Sequence, residues 1–279
     1  MRKVQGPAVL LLLLAGTAAA YVLPPSYVLN RYYALRDEEL ESFQIELETR
    51  LIGPQHEGGE QTVQERWSLG LPLKFRSEQE LPRGTRIQLI SRGKRLLLEP
   101  GKTLGESPAL FDPLIHPFTR ATVRGSDKTY KAGDLLLSDL GTAGIDTTTT
   151  GLTRMGERVA VIIGATEQQQ DKSQLWIDKE RFVPLRILLV EGTKDSPRLR
   201  EVRYLNYPGI GGKHRWFPRT IEIRENGRLV QASEVKSISG KKRIDRALFD
   251  LEALRRLARE QATRPGPHDA DGTPAAAGP

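Results

Sequence analysis

Apolar positions along the chain change their period several times, and these changes divide it into elements. Val28, Tyr32 and Leu35 recur at helical spacing after Pro24-Pro25-Ser26, which predicts a helix capped by Ser26 and running to about Leu40. From Phe43 the period becomes two. Phe43, Ile45, Leu47 and Leu51 alternate with Gln44, Glu46, Glu48 and Arg50, the pattern of a strand wet on one face. A Gly-containing turn over 53–59 leads into a second, longer alternation. There Trp67, Leu69, Leu71, Leu73 and Phe75 point one way, and Pro72 suits an edge or a bulge. Residues 86–90 and 94–98 read as a hairpin around Arg92-Gly93.

The texture then changes. Leu110, Phe111, Leu114, Ile115 and Phe118 predict a short amphipathic helix over 108–118, and 134–140 reads as another, followed by a Gly/Thr loop that includes Thr147 to Thr150. Strands resume over 157–164, 173–178, 184–190, 199–207, 219–225 and 228–238. Asn226-Gly227 is the strongest hairpin turn in the chain. Asp250 caps a final helix with Leu251, Leu254 and Leu257 on one face. Strands in immediate succession, without helical crossovers, give a mostly antiparallel β fold with a few helices.

A single-layer sheet must bury its apolar face against something, and the short helices are too few to cover a wide curved sheet. The expected result is an apolar cavity lined by Trp67, Leu69, Phe75, Ile87 and Leu89, under a lid that contains Phe111 and Ile115. The same residues packed on one another as an ordinary core would leave the same pattern.

The first residues carry the marks of an export signal. Arg2 and Lys3 precede the apolar run from Pro7 to Gly16, and Ala18-Ala19-Ala20 supplies a small-residue cleavage site before Tyr21. The expected organisation is a signal peptide over 1–20, one β domain over 21–260 and a disordered tail over 261–279. The chain has no cysteine, so disulfides, thiol chemistry and a lipid-modified N-terminal cysteine are excluded. Basicity is confined to the C-terminal third. Residues 198–260 hold 16 Lys and Arg against 8 Asp and Glu, and they include Lys241-Lys242-Arg243. For an exported protein this points to anionic lipid headgroups or an acidic protein surface, with no nucleic acid as partner, although a merely solvated face reads the same way. The catalytic inventory is thin: His56, His116, His214 and His268 are scattered, and no nucleophile–base, phosphate-loop or metal spacing occurs. His116 reads as structural, and Asp178 as a turn residue bonding local N–H groups. No enzyme activity, cofactor or metal is expected.

Four stretches, taken together, resemble a known family. They are Ile-Ser-Arg-Gly-Lys-Arg-Leu-Leu-Leu-Glu-Pro over 90–100, Gly125-Ser126-Asp127-Lys128-Thr129-Tyr130 with Gly133-Asp134-Leu135, and Leu175-Trp176-Ile177-Asp178-Lys179 running to Phe182, Pro184-Leu185 and Arg186. The fourth is Ile244-Asp245 to Leu248-Phe249. In order and spacing, from about Tyr27 to about Leu254, the chain resembles the outer-membrane lipoprotein-sorting family of LolA/LolB-like periplasmic carriers. The resemblance implies an incomplete, half-open β-barrel wrapped over a helical lid. It also implies a periplasmic carrier for acyl chains of a lipoprotein or other lipid, working with a membrane surface or an inner-membrane transporter. A sensor or scaffold of the same fold that binds another exported protein is the alternative. One departure is that the arginine beside proline, common in carriers that hand cargo to a receptor, is replaced in Leu71-Pro72.

Overall fold

The computed structural model describes residues 23–36, 40–54, 59–193 and 195–263. The expected signal peptide lies outside the described residues, as does the tail beyond residue 263. One antiparallel sheet of 13 strands carries the fold. Its N-terminal half comprises β1 (Ser42–Ile52), β2 (Glu60–Gly70), β3 (Lys74–Leu81), β4 (Gly84–Ser91), β5 (Lys94–Leu98) and β6 (Gly105–Pro108). A separate two-stranded ribbon joins β7 (Val123–Arg124) to β8 (Thr129–Tyr130). The C-terminal half comprises β9 (Thr150–Met155), β10 (Arg158–Ile163), β11 (Gln174–Asp178) and β12 (Pro184–Thr193), then β13 (Ser196–Leu205), β14 (Thr220–Glu225) and β15 (Arg228–Lys241). Within each half every strand pairs with its neighbour in sequence, and β1 pairs with β15 to join the halves. The outermost strands, β6 and β9, do not meet, so the barrel is open along one side.

Three helices lie on one face of this sheet: α1 (Pro25–Tyr33), α2 (His116–Thr119) and α3 (Ala132–Thr142). They bury Val28, Leu29, Tyr32, Phe118, Leu136 and Leu140 in a single apolar cluster with Phe43, Ile45, Trp67 and Leu69 of β1 and β2. A fourth helix, α4 (Leu251–Thr263), and the 3-10 turn Arg246–Phe249 cover the other face at β3 to β5. There Ile87, Leu89, Leu96 and Leu98 form a second cluster with Phe249 and Leu254. β4 is therefore apolar on both faces: Ile90, opposite Phe75, points to the main cluster, while Leu89, opposite Arg76, points to α4.

Four local expectations are corrected. α1 starts with Pro25 at its first position, so Ser26 lies inside the helix and makes no cap; proline's fixed φ suits that position. The helix also stops at Tyr33, short of Leu40. The alternation from Trp67 to Phe75 is not one strand. It folds back through a turn at 71–73, where Leu73 has φ 47°, and Leu69 faces Phe75 across the β2–β3 hairpin. Pro72 offers no N–H to a ladder, which favours this interruption. Residues 108–118 are not a helix except for its last turn, because Pro113 offers no N–H in the middle of the stretch, while Pro117 is accommodated in the first turn of α2. Finally Thr150, expected in a loop, begins β9.

The face under the lid helices turns polar away from them. Glu65 of β2 is buried, accepting hydrogen bonds from Trp67 Nε1 at 2.6 Å, Ser77 Oγ at 2.6 Å and Thr49 Oγ1 at 2.8 Å. Thr49 also reaches Ser233 Oγ at 2.9 Å. Glu65→Leu leaves these donors unpaired, and the expected cost is about 3 kcal/mol or more, with Glu65→Gln milder because one oxygen remains. Urea unfolding of both variants measures this. A loss below about 1 kcal/mol for Glu65→Leu would mean that the network contributes little.

Candidate functional site

The region between the sheet and α1–α3 is where this fold brings its large apolar side chains together. Sequence dictates how closely the helices approach one another. Gly133 of α3 lies against Asn30 of α1, where an added Cβ would come within 2.5 Å of the Asn30 backbone nitrogen. The Asn30 side chain accepts from the Gly133 N–H and donates to Asp134, both at 3.1 Å. Tyr33 Oη donates to the Pro117 carbonyl at 3.0 Å, and the Arg36 guanidinium donates to the carbonyls of Phe118 at 3.0 Å and Arg120 at 2.5 Å. Arg120 pairs in turn with Asp139 of α3. Polar bonds thus tie the three helices to one another.

Towards the sheet the lid is mainly apolar. Phe118 packs on Phe217 at 4.5 Å between ring centroids, on Tyr204 at 5.5 Å and on Trp216 at 6.4 Å. Trp67 meets Phe75 at 5.4 Å and Phe217 at 6.5 Å, and Phe43 meets Trp216 at 4.8 Å. The polar links from lid to sheet are sparse. Tyr204 Oη donates to the Pro113 carbonyl at 2.6 Å, the Leu73 N–H donates to the Thr119 carbonyl at 3.0 Å, and Arg200 stands 3.8 Å from Asp112.

Of the seven residues singled out in the sequence, Trp67, Leu69, Phe75 and Ile115 are buried in this cluster, and Phe111 packs at its edge. Ile87 and Leu89 do not join them, since they face α4 on the opposite side of the sheet. The space expected to stay open is filled in this structure by Phe118, Tyr32, Trp216 and Phe217. Trp216 and Phe217 were not expected there because they sit in an irregular connection between β13 and β14, outside any periodic pattern. A cavity of about 490 Å³ lies elsewhere, between α4 and the Gly101–Glu106 segment.

Tyr32 occupies a distinctive place. Its hydroxyl is fully buried under the lid and has no hydrogen-bond partner. Burial pushes its ionisation well above the ordinary phenol range, so it remains a neutral donor. His116 is buried as well, with Nδ1 accepting from the Asp112 N–H at 3.0 Å, and burial lowers its pKa. It is structural, as its sequence context suggests. Asp178 likewise accepts from the N–H groups of Glu180 and Arg181, both at 2.9 Å, and holds a turn. Among the described residues no group of three His, Asp or Glu side chains could hold a metal, and no helix is long and apolar enough to cross a membrane.

No protein-family model and no curated protein matches the chain. Solved structures do. A LolA superfamily protein from Nitrosomonas europaea is 16% identical, with 83% of this chain and 99% of that one covered at a TM-score of 0.50. An outer membrane lipoprotein-sorting protein domain from Vibrio parahaemolyticus is 11% identical, covering 83% and 98% at a TM-score of 0.54. A DUF1329 family protein from Desulfovibrio piger is 12% identical, covering 83% and 99% at a TM-score of 0.50. At such low identities the likeness speaks for architecture, and it agrees with the open sheet and helical lid: this chain has the fold of the LolA superfamily and of outer-membrane lipoprotein-sorting domains.

Proposed function

We propose that this protein is an exported, periplasmic, non-enzymatic carrier that takes acyl chains of a lipoprotein or another lipid between its sheet and its lid. The observation that carries the reading is the contrast between the lid's two sets of contacts. Hydrogen bonds and an ion pair join α1, α2 and α3 to one another, whereas the surface they share with the sheet is mainly apolar. A lid built in this way can lift as a unit, exposing apolar surface on both sides, and an acyl chain replaces the contacts that are lost. Trp67, Leu69 and Phe75 would form the floor, with Phe111, Ile115 and Phe118 on the moving side. Ile87 and Leu89 fall outside this site. Cleavage before Tyr21 would release the carrier from its signal peptide.

Tyr32 adds a polar group to the otherwise apolar space. An unpaired buried donor is unfavourable unless something accepts from it, and the carbonyl of an acyl ester or fatty acid suits it. A fluorescent fatty-acid probe is expected to bind the purified mature protein and to be displaced by phospholipid or acylated peptide. Tyr32→Phe should leave stability unchanged or slightly raised, because it removes an unsatisfied group, and should weaken probe binding about 3- to 10-fold, the worth of one hydrogen bond. Phe111→Ala, at the edge of the lid, should also weaken binding. Absence of probe binding by the wild type would turn the reading towards a sensor or scaffold that binds another exported protein.

The lid should also respond to acid. Burial holds the His116 pKa below the ordinary value near 6.5, so the unfolded chain takes up a proton where the folded one resists it. The stability that follows is present above about pH 6.5 and is lost as pH falls towards the lowered pKa. Melting temperatures from pH 7.5 to 5 are expected to fall more steeply for the wild type than for His116→Phe. Parallel curves would show that His116 does not couple the lid to pH.

A further inference from the structure

We propose that one rim of the fold docks on an anionic phospholipid surface, with Ile210 entering the headgroup region; this rests on the carrier reading and names the membrane-facing surface that such a carrier needs. The rim is formed where the β11–β12 turn, the β13–β14 connection and α1 come together. Ile210 is 75% exposed at the tip of Pro208-Gly209-Ile210-Gly211-Gly212. Leaving a large aliphatic side chain in water is unfavourable, and glycines on both sides give it no shelter. The tip is nevertheless fixed. Arg215 donates to the Ile210 carbonyl at 2.9 Å, Arg181 donates to the Pro208 carbonyl, and the Gly212 N–H closes a turn on the Gly209 carbonyl at 2.8 Å. The apolar side chain is held outward by a structured loop.

Cations surround it. Arg31, Lys179, Arg181, Lys213 and Arg215 belong to the three segments, and none forms an ion pair with a described carboxylate. Ring contacts knit the segments into one surface: Tyr27 packs edge-on against Phe182 at 6.2 Å, Arg31 lies over Phe182 at 5.4 Å, and Arg181 lies over Tyr207 at 5.9 Å. The exposed acids nearby are Glu180 in the same turn, Glu157 on the adjacent hairpin and Asp134, which accepts from Asn30 of α1; against the five cations the rim is net positive. Partial burial lowers the pKa of His214, and the charges of Arg219 and Lys213 lower it further. Tyr27, 48% exposed, adds an amphipathic ring of the kind that settles at a headgroup boundary.

This chemistry favours lipid over a protein partner. A stable protein interface buries on the order of 1,000 Å² or more around an apolar centre, whereas here one aliphatic side chain stands among separated cations. A single apolar wedge with a basic surround is the arrangement that anionic headgroups reward, at about a fivefold gain in affinity per cation near the surface.

The test uses the full mature chain with vesicles of phosphatidylglycerol mixed into phosphatidylcholine, and of phosphatidylcholine alone. The wild type should sediment with the mixed vesicles and not with the neutral ones. Replacing Arg31, Lys179 and Lys213 together by Gln should weaken binding about 100-fold, and Ile210→Ser about 5- to 10-fold; circular dichroism should be unchanged. Because the chain has no cysteine, Ile210→Cys accepts a single polarity-sensitive dye. Its emission should shift to the blue on mixed vesicles, while the same dye on Thr85→Cys, at the opposite end of the strands, should not shift. Equal binding of the triple variant and the wild type, an unshifted dye at 210 on bound protein, or no binding by the wild type would each overturn the proposal. Vesicle binding through Ile210 without uptake of the acyl probe would end the carrier reading and leave this surface standing; the reverse would end this proposal alone.

Discussion

The pairing of β1 with β15 turns two stacks of hairpins into one sheet. On either side of it each strand bonds to its neighbour in sequence, so both halves are built from local contacts. The central seam joins Ser42 to Lys241 at one end and Leu51 to Gln231 at the other. Closing so long a loop costs little more than closing one of half its length, but the seam is specified only if its register is unique. Thr49 supplies that specificity. Its hydroxyl lies between Ser233 of β15 and Glu65 of β2, and Glu65 in turn holds Trp67 and Ser77. A slip of β15 by one residue would turn Ser233 to the other face and take it from the Thr49 hydroxyl, so the polar network marks the correct pairing of the seam. Opposite Glu46 and Leu47, β15 carries one extra residue, Lys236, and this bulge adds local twist at the seam, which helps the sheet curl towards its lid.

Once the seam is made, the two faces have different tasks, and this explains what the sequence reveals. Elements with one buried face are legible. The alternation of β1, the Arg92-Gly93 and Asn226-Gly227 turns with positive φ at both residues, and the Asp250 carboxylate accepting from the Glu252 N–H at 2.9 Å all follow local rules. β4 is different because α4 covers its outer side. With Ile87, Leu89 and Ile90 all apolar, alternation cannot say which of them faces the lid, and Ile87 and Leu89 are on the far side. The segment from Pro108 to Phe118 misleads for another reason. Its apolar spacing is set by contact with the cluster under the lid, while Pro113 in its middle interrupts the helix that this spacing would suggest. Trp216 and Phe217 carry no periodic signal at all, yet they help fill the space beneath α1 and α2. The open sheet can therefore be read from the order of its strands, whereas the state of its interior depends on side chains that lie outside regular elements.

Charge repeats the lesson on the outer surface. The cations of the C-terminal third are numerous when counted along the chain, but several of them are held in ion pairs on the sheet. Arg186 and Arg203 share Glu201, Arg224 meets Glu222, Arg198 meets Glu225, and Lys236 lies between Glu48 and Glu234. Such pairs, some across strands and some along one strand, are modest in energy when exposed, but each offsets a charge that a partner could use. The run Lys241-Lys242-Arg243 is exposed, with its backbone tied to β1: the Lys241 carbonyl accepts from the Glu41 N–H and the Arg243 carbonyl accepts from Ser42 Oγ, while Lys242 has an interaction of its own. What survives this cancellation is concentrated where strands end and the chain turns, because a loop residue has no neighbouring strand to offer it a carboxylate. Lys213 and Arg215 come from the basic third, but Arg31, Lys179 and Arg181 come from the part of the chain whose formal charges sum to zero. A surface potential made by three distant segments in this way depends on the seam that assembles the sheet, and cannot be read from any one run of basic residues.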